Sequence, residues 1–482
     1  MVKISADSLL TILNDILDFS KIEAGKMDLD EADFDLRDLL DGIMKNFGLQ
    51  ADRKGLELVC DVRPDVPQHL RGDPTRLGQV VTNLVGNALK FTVQGEIVLR
   101  AEARSVEAGS VLLHIAISDT GIGIPADKQQ KIFGAFAQAD GSTTRKFGGT
   151  GLGLAICSKL VKLMAGEIWL ESVEGQGSCF HFTIRAGVSE VKVEAKTRND
   201  ACLAGATALV VDDNATNRRV LAEVLAGWKM RVSSVESARA AMETLAQLRQ
   251  RKQIPRLMII DAHMPETDGF MLAGQVKQDP ALAELTMIML TSGGLPGDAA
   301  RCRQIGISGY LTKPISRAEL RDVILIALSR RDQPPGTPSL ITRAVVRNGR
   351  AAAARRILLA EDNPVNQMLI VRILEKRGHS VTVAATGCEA VAAVEREHFD
   401  LVLMDVQMPE MDGFAATAAI RERERQTGAR LSIIAITAHA MKGDEERCLA
   451  AGMDGYIPKP LQPQRLFELI EAIPTKVRLV AQ

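Results

Sequence analysis

The 482-residue sequence has no run of about 18 apolar residues, the length a membrane-spanning helix needs. Its opening residues show no apolar signal-peptide core, so the expectation is a soluble, cytoplasmic chain with no membrane span. An excess of one charge is lacking too: 59 Lys and Arg stand against 60 Asp and Glu, for a net charge of −1. That balance gives no electrostatic reason to expect nucleic acid or an anionic membrane as partner. The cysteines Cys60, Cys157, Cys179, Cys202, Cys302, Cys388 and Cys448 are odd in number and never spaced C-x-x-C. They read as reduced cytosolic thiols rather than a disulfide framework.

What is present is ordinary globular composition, 46% hydrophobic and 25% charged, at a length that accommodates three or four domains. The chain carries one stretch twice. Residues 209–218 read L-V-V-D-D-N-A-T-N-R and residues 358–367 read L-L-A-E-D-N-P-V-N-Q. Downstream lie I-I-D-A-H-M-P-E-T-D-G-F (259–270) and L-M-D-V-Q-M-P-E-M-D-G-F (403–414), then G-Y-L-T-K-P (309–314) and G-Y-I-P-K-P (455–460). Asp261 precedes Thr291 by 30 residues and Asp405 precedes Thr437 by 32, while each Thr precedes its Lys, Lys313 or Lys459, by 22.

In each copy short apolar strands alternate with helical stretches, which predicts a parallel sheet with helices on both faces. L-M-I-I-D and L-V-L-M-D read as buried central strands ending in a carboxylate, at the edge where open α/β sheets bind ligands. Asp212, Asp213 and Asp261 are then expected to converge, as are Glu361, Asp362 and Asp405. Clustered carboxylates repel unless a cation joins them, so each trio is a candidate Mg²⁺ site. The cation would bridge a phosphoryl oxygen to the nucleophilic carboxylate, with the Thr hydroxyl and Lys ammonium holding the other oxygens.

Ahead of the repeats, residues 5–24 place Leu9, Leu10, Leu13, Ile16 and Leu17 at helical spacing, with Gly25 as C-cap. So narrow a stripe predicts an amphipathic helix that needs a partner helix. Helical patterns follow near 35–54, 74–92 and 151–165, and strands near 56–62, 96–103, 111–118, 167–173 and 178–185. The glycine-rich segment 119–153 reads as a functional loop.

Three motifs there carry chemistry. In N-L-V-G-N-A-L-K-F-T, Asn83 and Asn87 share a helix face with Lys90 nearby, and an amide oxygen can ligate Mg²⁺. In D-T-G-I-G-I-P, Asp119 can accept from an exocyclic amine while Gly121 and Gly123 let backbone approach a ligand. G-G-T-G-L-G-L, with Gly149, Gly151 and Gly153, opens a helix whose free N–H groups suit phosphate.

Taken in this order, and followed by G-E-I-W-L-E-S-V-E-G-Q-G-S-C-F-H-F, these motifs resemble the ATP-binding catalytic domain of histidine kinases, a fold shared with gyrase-type ATPases. Phe133 and Phe136 fit the same pattern. The resemblance implies Mg²⁺ on Asn87, the adenine amine on Asp119, and a loop closing over the triphosphate, with Arg145 and Lys146 as phosphate contacts. Residues 1–28 resemble the second helix of the dimerisation and phosphotransfer hairpin that precedes such domains. None of the seven histidines (His69, His114, His181, His263, His379, His398, His439) lies in the H-E-x-x-T-P-type box that the resemblance calls for.

The repeats resemble receiver domains of response regulators. That implies phosphoryl acceptance on Asp261 and Asp405, Mg²⁺ held by Asp212, Asp213, Glu361 and Asp362, and phosphoryl contacts from Thr291, Thr437, Lys313 and Lys459. It also implies cis Lys313-Pro314 and Lys459-Pro460 bonds and aromatic switches at Tyr310 and Tyr456.

The expected architecture is α/β multidomain: one amphipathic helix (1–28), an α/β-sandwich ATP-binding domain (29–187), and two doubly wound, flavodoxin-like parallel sheets (205–330 and 355–476) joined by a Pro-rich linker (331–354). The function it implies is that of a hybrid histidine kinase core using ATP and Mg²⁺. Its expected partners are an H-box hairpin or His-phosphotransfer protein, a downstream response regulator, and a second copy in a homodimer. The first repeat, with Gly293 where the second has His439, also fits a docking or regulatory module. A second reading is a receiver-based signalling protein that accepts phosphate from a partner kinase and carries a regulatory ATP-binding domain.

Overall fold

The computed structural model describes residues 13, 16–107, 109–134, 151–189, 202–294, 297–331, 340–342, 355–375, 377–427, 430–437, 447–459, 461, 466–467 and 469–470. The chain divides into two units, Met1–Arg343 and Ala344–Gln482.

In the first unit the strands are β1 (Ala32–Asp35), β2 (Leu56–Val62), β3 (His69–Gly72), β4 (Gly95–Glu107), β5 (Ser110–Asp119), β6 (Ile168–Val173) and β7 (Gly177–Val188), of which all but the short β1 and β3 come from β-branched or alternating runs. They form one sheet in the order β1-β3-β7-β5-β4-β2, with β6 on β7; β2 and β4 run parallel and the other pairs antiparallel. Helices Leu36–Arg53, Pro74–Phe91 and Gly153–Leu163 pack side by side over it, burying Leu40, Leu77, Leu84, Ile97, Leu160 and Phe182 in a common core. The first two start where a side chain caps them: Asp35 accepts from Arg37 N and Asp38 N, and Asp73 from Arg76 N ahead of Pro74.

Residues 16–23 are helical and end at Gly25, whose left-handed φ of 63° lets Lys26 N reach Lys21 O. Phe19 and Ile22 pack on the core of the sheet domain, whereas Leu13, Ile16 and Leu17 are exposed. Of the predicted stripe, Leu13, Ile16 and Leu17 are thus exposed and Leu9 and Leu10 lie outside the described residues, while the helix meets the sheet domain through Phe19 and Ile22.

The same unit continues with β8 (Thr207–Val211), β9 (Arg231–Val235), β10 (Leu257–Asp261), β11 (Thr286–Thr291), β12 (Gly309–Thr312) and β13 (Ile341–Thr342). All pair in parallel, in the order β13-β12-β11-β10-β8-β9. Helices Ala215–Gly227, Ala238–Gln250, Gly269–Gln278, Asp298–Ile305 and Arg317–Arg331 connect them. Strand β13 lies inside the stretch read as linker: Leu340 and Ile341 are buried there, and Ile341 N donates to Ser308 O.

The second unit repeats the pattern with β14 (Arg356–Ala360), β15 (Ser380–Ala384), β16 (Leu401–Asp405), β17 (Ser432–Thr437) and β18 (Gly455–Pro458), ordered β15-β14-β16-β17-β18 and all parallel. Its helices include Pro364–Glu375, Gly387–Arg396 and Gly413–Thr427. In both sheets the strand order reverses between the first and third strands, which opens a crevice at their carboxyl ends. Among the described residues no helix is long and apolar enough to cross a membrane.

Candidate functional site

Each parallel sheet carries an acidic pocket at that crevice. In the first, β10 pairs with β8 so that Ile260 stands beside Val211, which brings the last residue of β10, Asp261, next to Asp212. Thr291 ends β11, and Lys313, just past β12, donates its N–H to Thr291 O at 2.6 Å. Lys313 Nζ then lies 3.0 Å from Asp212 Oδ2 and 2.9 Å from Asp261 Oδ2. Asp213 is exposed at the rim.

Burial pushes the Asp261 carboxyl up to about 6, against the pull of Lys313. It raises Asp212 as well. Burial alone would lower Lys313, but Asp212, Asp261 and Glu57 together hold it above an ordinary lysine.

The second pocket has the same parts. Ala360 pairs with Met404, so Glu361 follows beside Asp405. Lys459 Nζ stands 2.6 Å from Asp405 Oδ2 and 2.9 Å from Glu361 Oε2, and its N–H meets Thr437 O at 2.7 Å. Burial raises the Asp405 carboxyl, while hydrogen bonds to Asp405 and Glu361 keep Lys459 raised in spite of burial.

In each pocket the three acids (Asp212, Asp213 and Asp261; Glu361, Asp362 and Asp405) bring one ligand atom apiece within 4.8 Å of one another. Asp261 Oδ1 is buried and has no hydrogen-bond partner among the described residues. An all-oxygen donor set with such an orphaned atom suits a hard divalent cation.

Lys313-Pro314 is cis, and Tyr310 is buried with its hydroxyl donating to Asp298 Oδ2 at 3.2 Å. Tyr456 is half-buried. Pro460 and His439 lie outside the described residues.

In the mixed-sheet domain, Asn83 and Asn87 do share a face of helix Pro74–Phe91: Asn87 Nδ2 donates to Asn83 Oδ1 at 3.0 Å. Gly153, at the start of the next helix, lies so close that a Cβ there would fall 2.3 Å from Asn83 Nδ2. The glycine-rich segment thus returns to the two amides. Gly151 takes a φ of 69°, and Lys90 Nζ sits 4.9 Å from the Phe91 ring centroid.

Asp119 ends β5, buried, with its carboxyl raised by burial and Gly121 N donating to Oδ1 at 2.8 Å. The two glycines after it also have tight neighbours. A Cβ on Gly121 would meet Phe91 O at 2.6 Å and one on Gly123 would meet Val173 O at 2.1 Å, so both serve the packing of the turn on neighbouring backbone. Arg145, Lys146, Phe136 and Gly149 lie outside the described residues.

Three further residues stand beside the first pocket without a role assigned from the sequence: Glu57 on β2, Asn217, which lies within the repeated stretch 209–218, and Ser292 next to Thr291. Asn217 Nδ2 donates to Glu57 Oε2 at 3.0 Å, Ser292 Oγ to Glu57 Oε1 at 3.2 Å, and Lys313 Nζ lies 3.5 Å from Glu57 Oε2. The partners are 160 and more residues apart in sequence, beyond any spacing rule.

Fold and geometry define a mixed-sheet domain followed by two parallel-sheet domains, each with an acidic pocket at the carboxyl edge of its sheet. Comparison with known proteins gives the same division. The family described as "Histidine kinase-, DNA gyrase B-, and HSP90-like ATPase" matches residues 72–188, and the response regulator receiver domain matches 208–325 and 357–471. The sensor histidine kinase GacS of Pseudomonas protegens is 36% identical over 467 residues, covering 97% of this chain and 50% of its own length. The signal transduction histidine-protein kinase BarA of Escherichia coli K12 is 35% identical over 473 residues, covering 97% of this chain and 48% of its own. The crystal structure of full-length ShkA in complex with AMPPNP aligns with a TM-score of 0.54 at 29% identity, over 98% of this chain and 90% of that one. The chain spans about half the length of the curated relatives it matches. The chain thus contains a histidine kinase-, DNA gyrase B- and HSP90-like ATPase domain followed by two response regulator receiver domains, and over 97% of its length it is similar to sensor histidine kinases.

Proposed function

We propose that this chain is the ATP-to-His-to-Asp portion of a phosphorelay. Its parts are a hairpin helix (1–28), an ATP-binding domain (29–187), and receivers at 205–330 and 355–476 joined by a linker (331–354). The observation that carries the reading is the pocket of the second receiver, where Lys459 bridges Glu361 and Asp405 at the carboxyl edge of a parallel sheet.

Asn83 and Asn87 hold the metal end of Mg-ATP, Asp119 accepts from the adenine amine, and Gly151 and Gly153 carry the loop over the phosphates. Mg²⁺ held by Glu361, Asp362 and Asp405, or by Asp212, Asp213 and Asp261, would supply charge neutralisation at the acceptor carboxylate. Asp405 and/or Asp261 attacks the phosphorus of a donor phosphohistidine, so that the carboxylate O–P bond forms as the P–N bond breaks and the imidazole leaves. Lys459 or Lys313 and the hydroxyl of Thr437 or Thr291 take up the phosphoryl oxygens.

The donor histidine lies in an H-box segment outside these 482 residues, on another stretch of the same protein or supplied in trans, since none of the seven histidines has that context. The open face of Leu13, Ile16 and Leu17 supports such a helical partner, shared across a homodimer. Dependence on ATP places these domains in the cytoplasm, with a His-phosphotransfer protein or response regulator downstream.

Incubation with Mg²⁺ and γ-labelled ATP should leave no acid-labile phosphohistidine on the chain alone. Adding an H-box hairpin should label the hairpin and then Asp405, and Asp405→Asn should abolish the second label. Label on any of the seven histidines, or undiminished label in the variant, contradicts the reading.

A further inference from the structure

The pocket of the first receiver is covered by the ATPase domain of the same unit. Glu57 and Glu96 stand directly opposite each other on the parallel strands β2 and β4. Like charges so placed destabilise a strand pair unless something else neutralises them. The receiver supplies the donors. Lys313, Asn217 and Ser292 surround Glu57, while Asn214 Nδ2 and Thr216 Oγ1 donate to Glu96 at 2.8 and 3.0 Å.

Around them, Arg219 pairs with Asp61 at 2.9 Å, Lys45 with Glu319 at 3.0 Å, and Arg63 with Glu223. Shape bears on it as well: a Cβ on Gly293 would fall 2.1 Å from Asp52 Oδ2, so any larger residue there requires the Asp52 carboxylate to swing away from the docked face. The second receiver has His439 at this position. The docked face also reaches the turn after Asp119, because Glu96 N donates to Thr120 Oγ1 at 3.0 Å.

Lys313, the cation that a phosphoryl group on Asp261 would need, is shared between Asp261 at 2.9 Å and Glu57 at 3.5 Å, while Ser292 and Asn217 hold Glu57 at the mouth of the pocket. We propose that the acceptor pocket of the first receiver is the docking site of Glu57, so that Glu57 and a metal-bound phosphoryl group on Asp261 exclude each other. Filling the pocket takes Lys313 away from Glu57 and adds negative charge beside it, leaving the Glu57–Glu96 pair uncompensated and releasing the receiver from β2 and β4. By linkage, docking weakens pocket occupancy by the same factor that occupancy weakens docking. The proposal rests on the assignment of Asp261 as an acceptor.

The test uses the full chain with Asp405→Asn, so that only the first pocket is available, and titrates Mg²⁺ with beryllium fluoride, a reversible phosphoryl analogue. Calorimetry should show Glu57→Gln and Gly293→His binding tighter than the parent by a factor on the order of ten. Amide exchange of residues 56–62 should rise on binding in the parent, and Asp261→Asn should show neither effect. Equal affinity in all three proteins, or binding that leaves β2 protected, overturns the docking proposal alone. Absence of binding in every variant overturns it together with the acceptor assignment.

Discussion

The two receivers match in their acids, hydroxyl and lysine, and differ in what surrounds the lysine. The Lys313 side chain is 7% exposed and faces three carboxylates, one of them from another domain; Lys459 is 26% exposed and faces two from its own. The chemistry of a module is thus written in its own residues, whereas access to it is set by whatever docks on it. Gly293, where the second receiver has His439, is a local difference in sequence that sits against the docked domain.

The largest effect should come from the lysines. Lys313→Met leaves buried carboxylates without their cation and should cost the first unit about 3 kcal/mol. Lys459→Met, at a more hydrated site, should cost the second unit about 1 kcal/mol. Denaturant unfolding followed by exchange in each unit checks this, and equal losses would erase the contrast.

A smaller effect concerns pH. Asp261 has its folded pKa raised to about 6 by burial, so the stability it contributes is present at acid pH and lost as pH rises through about 6. The raised lysine keeps its contribution throughout that window. Without Mg²⁺, the melting temperature of the first unit should therefore fall between about pH 4 and 6. Asp261→Asn should flatten that fall, and parallel curves for parent and variant would refute the cause assigned.

Much of this was legible in the sequence, for identifiable reasons. Apolar runs ending in Asp261 and Asp405 read as buried parallel strands because both faces of such strands are covered. Asn83 and Asn87 read as one face because helical spacing requires it. The strands β1 and β3, only four residues each and partly charged, gave no alternation to read, and β13 is two residues in a polar stretch. The tight neighbours of the D-x-G-x-G glycines, Phe91 O and Val173 O, lie on other elements and leave no mark in the motif itself. Glu57 was invisible because its partners come from another domain, although acids facing each other on neighbouring strands are a signal once the register is known.

The most direct measurement is the rate at which acetyl phosphate with Mg²⁺ labels each aspartate in the full chain, resolved by peptide. The account predicts that Asp405 is labelled first, ahead of Asp261 by roughly tenfold, a typical coupling between sites. Equal rates, or Asp261 labelled first, would contradict it.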